Sequence, residues 1–130
     1  MNRITRTAIL ASFVTLSLAC GGPPGGWESE LSNTVLVSFY SASDYSETET
    51  LVLCSDGSAY YSFESYSSGF GSSLSFFDED QGSWTVDDGG YYGVLNLSMS
   101  EEWGYEVTVG EDGGYLLDGD LWYSDGQAGC

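Results

Sequence analysis

Apolar residues in this chain recur at every second position over short runs, and no window sustains a 3.6-residue period. That pattern admits half-buried strands and excludes amphipathic helices as the main building unit. Val35, Val37 and Phe39 share a face in Thr34–Tyr40, Leu51 and Leu53 in Thr48–Cys54, and Ala59, Tyr61 and Phe63 in Ser58–Glu64. Trp84 and Val86 do so in Gly82–Val86, and Gly93, Leu95, Leu97 and Met99 in Tyr92–Met99. The clearest alternation is Trp103, Tyr105, Val107 and Val109, with Glu106 and Thr108 opposite; Tyr115–Leu117 and Leu121–Tyr123 close the series. Leu74 and Phe76 are read as a weaker strand or as part of a loop.

The breaks carry turn chemistry. Asp56-Gly57, Asp88-Gly89, Asp112-Gly113 and Asp118-Gly119 are dipeptides that enter the positive-φ conformations of tight hairpins at little cost. Short strands joined in this way predict an all-β fold, an antiparallel meander of about eight short strands that forms a small barrel or a strongly curled sheet. The irregular turn spacing argues against a propeller or solenoid. Ser65–Ser75 is Ser/Gly-rich, carries Tyr66 and Phe70, and is long for a hairpin connection; it is expected to be a mobile loop.

The amino terminus has another character. Arg3 and Arg6 precede the apolar run Ala8–Leu16, and small residues approach Cys20, which is the layout of a secretory signal peptide. The run is shorter than the ~20 residues a spanning helix needs. Leu16-Ser17-Leu18-Ala19-Cys20 resembles the lipobox of bacterial lipoproteins. The resemblance implies cleavage before Cys20 and a diacylglycerol on its sulfur, usually with an added N-acyl chain, which together suffice for stable anchoring. Residues 1–19 are then a signal peptide, 20–32 the lipidated cysteine with a Gly/Pro-rich tether, and 33–130 an acidic β domain. Gly21, where inner-membrane retention favours Asp, points by analogy to the outer membrane, with the domain on its periplasmic or surface face.

Charge then narrows the function classes. The only two basic side chains, Arg3 and Arg6, lie in the signal, while all 20 carboxylates lie beyond it and the chain has no His. The mature domain can form no side-chain salt bridge, and its self-repulsion is relieved by salt. Nucleic acid is excluded as a partner, because phosphate binding rests on Lys and Arg. Ser-His-Asp and Cys-His catalysis lack their base. A pair of carboxylates of the glycosidase kind is arithmetically available, but no cation is present to stabilise developing negative charge, so a non-enzymatic role is expected. Zinc and copper lack ligands, and no cofactor is expected. Calcium has two acidic clusters to consider, Asp78-Glu79-Asp80 and Asp118/Asp120. Neither follows an EF-hand loop, so solvated acidic turns are the plainer reading.

With Cys20 assigned to lipid, Cys54 and Cys130 remain. In an oxidising compartment a disulfide between them is expected, with two free thiols as the rival. The bond would close a loop of about 75 residues and stabilise by up to ~4 kcal/mol on the chain-entropy account.

Leu53-Cys54-Ser55-Asp56-Gly57, Gln81-Gly82-Ser83-Trp84-Thr85-Val86, Leu95-Asn96-Leu97 and Leu117-Asp118-Gly119 occur in the order of a group of small bacterial β domains. That group combines a Cys-x-Asp/Asn-Gly hairpin with Gly-x-Trp-x-Val, Leu-x-Leu and Leu-Asx-Gly segments. The resemblance spans about Thr34 to Tyr123 and implies a fold built on hairpin glycines and buried aromatics, without implying an activity. Members usually carry basic residues in these strands, and this chain has none. Gly25-Gly26-Trp27 and Gly82-Ser83-Trp84 each resemble the lipocalin Gly-x-Trp, but the Arg that stacks on that Trp has no counterpart here. Small barrel lipoproteins that inhibit C-type lysozymes share the lipobox, a disulfide and eight strands; their Lys-Gly signature is absent.

The sequence thus leads to a lipid-anchored, non-enzymatic binding or surface-structural domain of the cell envelope. Its expected partners are the membrane, through the anchor, and a cationic protein or a carbohydrate met by exposed Tyr60, Tyr66 and Phe70 beside carboxylates. The alternatives are an inhibitor of a cationic envelope protein such as a lysozyme and a calcium-dependent surface module.

Overall fold

A computed structural model describes residues 22–69 and 71–130; residues 1–21, including the export signal and Cys20, and also Phe70, lie outside the described residues. The strands are β1 Thr34–Ala42, β2 Tyr45–Leu53, β3 Ser58–Gly69, β4 Ser72–Asp88, β5 Tyr92–Ser98, β6 Glu102–Val109, β7 Tyr115–Leu117 and β8 Asp120–Gln127. Each pairs antiparallel with its neighbour in sequence, and β8 pairs with β1, so the meander closes into a barrel of eight strands. Of the two expected forms, closure wins over an open curled sheet. The Asp-Gly dipeptides differ in how they turn: at Asp88-Gly89 the positive φ falls one residue later, on Gly90, at Asp56-Gly57 only the glycine adopts it, and Asp112-Gly113 lie in a 3-10 turn, whereas Asp118 and Gly119, the two residues between β7 and β8, have φ of 51° and 89°. That is the type I′ geometry whose twist matches the strands it joins.

Alternation places one face of every strand inside. Leu36, Leu51, Leu53, Ala59, Trp84, Leu95, Leu97, Val107, Tyr115, Leu117 and Trp122 form a single buried cluster that fills the barrel. The Trp84 indole donates to the Cys54 carbonyl at 2.8 Å, which satisfies its one polar atom inside the core.

One end of the barrel is plugged by a short helix, α1, Trp27–Leu31, whose Trp27 and Leu31 are fully buried. The Trp27 amide donates to Asp88 Oδ2 at 2.9 Å and its indole nitrogen to the Gly90 carbonyl at 3.0 Å. Its ring meets Tyr115 edge-on at 6.1 Å. Trp27 and Leu31, which lie in the segment 20–32 read as a tether, thus pack into the same core as the strands. The Gly/Pro composition of 21–26 hides a five-residue amphipathic turn directly behind it, too short to show a helical period.

Two corrections concern the strands. In β1 it is Leu36, with Thr34, that faces the interior, while Phe39 is 67% exposed and Val35 half-buried. Val37 is buried but stands outside the core cluster. Both faces of this strand are apolar, so its inner face is decided by register, which sets Leu36 opposite Leu51 and Ser124. The second concerns Ser65–Ser75. β3 and β4 pair without a register break from Ser58↔Ser83 to Gly69↔Ser72, so the segment belongs to a hairpin and is not a long loop. Serine is a poor strand signal by itself, but a complete antiparallel ladder supplies hydrogen bonds that composition does not report. Leu74 and Phe76, read as strand or loop, are strand.

Candidate binding surface

The long hairpins reach beyond the barrel wall. β4 spans 17 residues, yet β5 pairs with it only from Ser83 to Asp88, and Ser72–Gly82 has β3 on one side alone. β8 pairs with β1 only between Thr34 and Val37, which leaves Ser38–Ala42 bonded to β2 alone. Past that level the four strands β1–β4 continue as an open flap with two free edges.

Register assigns side chains to the faces of this flap. Continuing the interior face of the barrel are Tyr40, Tyr45, Phe63, Leu74 and Phe76, interleaved with Glu47, Glu49 and Asp78. On the outer face stand Phe39, Tyr66 and Phe77 with Glu64 and Glu79. Within the barrel the interior-face side chains would be covered by the opposite wall; here Leu74 is 72% and Phe76 57% exposed, and Phe77, on the outer face, is 54% exposed. Phe63 and Phe76 meet edge-on at 6.2 Å and Tyr40 packs against Tyr45 at 6.3 Å, so the rings support one another as a layer. Two open concavities lie along the outer face. One, of about 550 Å³, is lined by Tyr60, Ser62, Glu79 and Gln81; the other, of about 520 Å³, by Thr48, Glu64, Tyr66 and Phe77.

Where flap and barrel meet, Tyr61 donates its hydroxyl to Glu49 at 2.6 Å, and its ring lies edge-on to Trp103 at 5.2 Å. Burial, and then the Glu49 carboxylate, push the Tyr61 phenol well above its ordinary range. Tyr105 is raised by burial and by the charges of Glu49 and Asp118. Tyr45 donates to Glu47 at 2.5 Å, and that bond raises its phenol in turn. These phenols are neutral donors to carboxylates, and no side-chain cation exists among the described residues to compete for the carboxylate oxygens. Chemically the surface can stack, accept hydrogen bonds and attract positive charge; it has no side-chain cation to offer an anion.

The expected site residues fall in different places. Tyr60 and Tyr66 are exposed on the outer face of β3, two positions of the same flap, whereas Phe70 and Cys20 lie outside the described residues. Cys54 and Cys130 come together, sulfurs at bonding distance and Cα atoms 5.3 Å apart, with the C-terminal segment also held by Asn33 and Ser55. The strand period splits Asp78-Glu79-Asp80 across the two faces. Asp80 is occupied by Ser100, whose hydroxyl and amide bond to it and lower its pKa. Asp118 accepts the Glu106 amide at 2.7 Å as part of the β7–β8 turn. Among the described residues no group of three potential ligands is placed to hold a metal ion, and no helix is long and apolar enough to cross a membrane.

Sequence reasoning missed Tyr40, Tyr45, Phe76 and Phe77 as surface residues. Period-2 alternation does not mark them, because the adjacent pairs Tyr60-Tyr61 and Phe76-Phe77 break it; the ladder between β3 and β4 does. No known family model matches the chain, and no curated protein or solved structure is significantly similar to it.

Proposed function

We propose that this protein is an exported, lipid-anchored and non-enzymatic binding module of the bacterial envelope, and that its flap takes a cationic macromolecule. The observation that carries the reading is the flap itself: seven exposed aromatic or aliphatic side chains, with half-buried Phe63 among them, interleaved with five carboxylates. Exposed rings of this number are costly to keep in water unless something covers them. The carboxylates select what that is, since a basic partner is steered in by the whole anionic domain, and its Arg or Lys side chains stack on the rings. The same charge disfavours nucleic acid and anionic lipid. The anchoring half of the proposal rests on the Leu16–Cys20 lipobox and predicts that Cys20→Ala releases the protein from the membrane fraction; continued membrane association of that variant would remove it.

Calorimetric titration with a cationic envelope-directed protein, C-type lysozyme first, tests the binding half. Binding should weaken steeply with salt, and the pair Phe76→Ser/Phe77→Ser should lose about tenfold or more in affinity. Both rings are exposed, so the variant should melt within ~0.5 kcal/mol of the parent. Failure to bind any of a panel of basic proteins at low salt, or equal binding by the variant, refutes the reading.

A further inference from the structure

The free edge of β4 presents eight consecutive residues, Ser72–Glu79, that are all exposed and paired on one side only. In an antiparallel strand alternate residues aim N–H and C=O to opposite sides, so half of these backbone groups face outward with no strand to receive them. Natural edges of this length are usually blunted by charged side chains, Pro or a bulge. This edge has neither Pro nor bulge, since its register with β3 is continuous and both prolines of the chain are Pro23 and Pro24, and its only charges are the carboxylates Asp78 and Glu79 at one end, which repel an acidic strand and attract a basic one. The unguarded stretch ends at Asp80, where Ser100 bonds to the side chain, and at Gly82, which lies against the backbone of Ser98 and Met99.

We infer that this edge accepts an extended basic segment of the partner as a ninth strand, by backbone hydrogen bonding along Ser72–Glu79. The inference rests on the cationic-partner reading above and specifies how that partner is held. Charge selects the occupant. A second copy of the domain, which has no basic side chain beyond Arg6, would bring another 20 carboxylates to the same place, whereas a basic strand neutralises what it meets. The order of side chains on the edge sets the pattern of the added strand. Phe76 and Phe77 lie on opposite faces, as do Asp78 and Glu79. The matching strand therefore carries two adjacent basic residues beside two adjacent apolar ones, one of each kind for either face. Opposite charges and apolar pairs directly across a sheet are the favourable combinations. If the added strand is antiparallel it reads basic-basic-apolar-apolar from its N-terminus.

The test uses the full chain in detergent, with a synthetic ten-residue peptide whose centre is Lys-Lys-Val-Val and a control methylated at alternate backbone nitrogens. Hydrogen exchange should show new protection at alternate amides within Ser72–Glu79 on adding the peptide. The control, with the same side chains and charge, should bind at least tenfold more weakly. Asp78→Asn and Glu79→Gln should each weaken binding by about two- to fivefold. If peptide and control bind alike, or protection appears elsewhere, the added strand is refuted while the cationic-partner reading stands. If neither peptide binds but lysozyme does, the edge proposal fails and the flap faces alone serve the partner. Protection of the edge that instead grows with salt and protein concentration, or that a glycan produces, assigns the edge to another occupant and overturns the inference.

Discussion

Replacing Trp27 with Ala separates a structural plug from a tether more sharply than any other single change. Trp27 is fully buried, lies in the core cluster, and contacts Tyr115 and the backbone at Gly93. Truncating a buried Trp costs about 3–5 kcal/mol, combining lost transfer energy with the cavity left behind. The Gly90 carbonyl that accepts from the indole sits in an exposed turn, where water replaces the lost donor, so that bond adds little to the sum. For a domain of this size each kcal/mol lowers the melting midpoint by roughly 4 °C, which puts the expected drop at about 12–20 °C. Trp27→Phe keeps most of the apolar ring and loses the donor and some volume, and should fall by about a third of that amount. Thermal melts followed by far-ultraviolet circular dichroism, with denaturant midpoints as a second measure, read both variants. A shift of less than ~2 °C for Trp27→Ala would match an exposed tether residue and refute α1 as part of the folded domain.

Asp88 accepts the amides of Trp27 and Gly90, which hold its carboxylate below the ordinary range. A depressed carboxylate contributes stability above its unfolded pKa of about 4, and that contribution is lost as pH falls through the folded value. Asp88→Asn should therefore melt lower than the parent at neutral pH, with the gap closing in acid; an equal gap at pH 3 and pH 7 contradicts this. Tyr61, Tyr105 and Tyr115 are all raised, by burial first and then by neighbouring carboxylates. Their contribution is complete below about pH 10 and is lost as pH rises toward the folded values. Phenolate absorbance should thus show a late-titrating group that coincides with alkaline unfolding, and Tyr61→Phe should shrink it; early titration of all the tyrosines would refute the burial. Cys54 and Cys130 close a loop with a sequence separation of 76, so reduction or Cys130→Ser should cost about 4 kcal/mol on the chain-entropy account. Unchanged melting with and without reductant, with thiols free in a labelling assay, would mean that the pair stays reduced.

Much of the fold was legible because its signals are local. The alternation of Leu95 with Leu97, and that of Tyr105 with Val107, both show inside a window shorter than ten residues. Asp118-Gly119 names its turn by itself, since both residues adopt positive φ. Misreadings fell where the deciding partner is remote. Phe39 looks like a core residue until the end of the β8 pairing at Val37 shows that the barrel wall stops below it. Ser65–Ser75 looks like a loop until the two halves are laid against each other across Gly69↔Ser72.

What the sequence alone determined is the class of structure and the sign of its electrostatics. Period-2 apolar runs, Asp-Gly breaks and the lack of any basic side chain beyond Arg6 follow from the residues themselves and hold whatever the strands pair with. Tertiary structure alone decided that the meander closes, that α1 plugs one end, and that β1–β4 outrun the wall to leave a flap with open edges. Alternation states which residues share a face. It does not state which face is inside, or where a neighbouring strand ends, because both depend on the lengths and registers of strands far away in the chain.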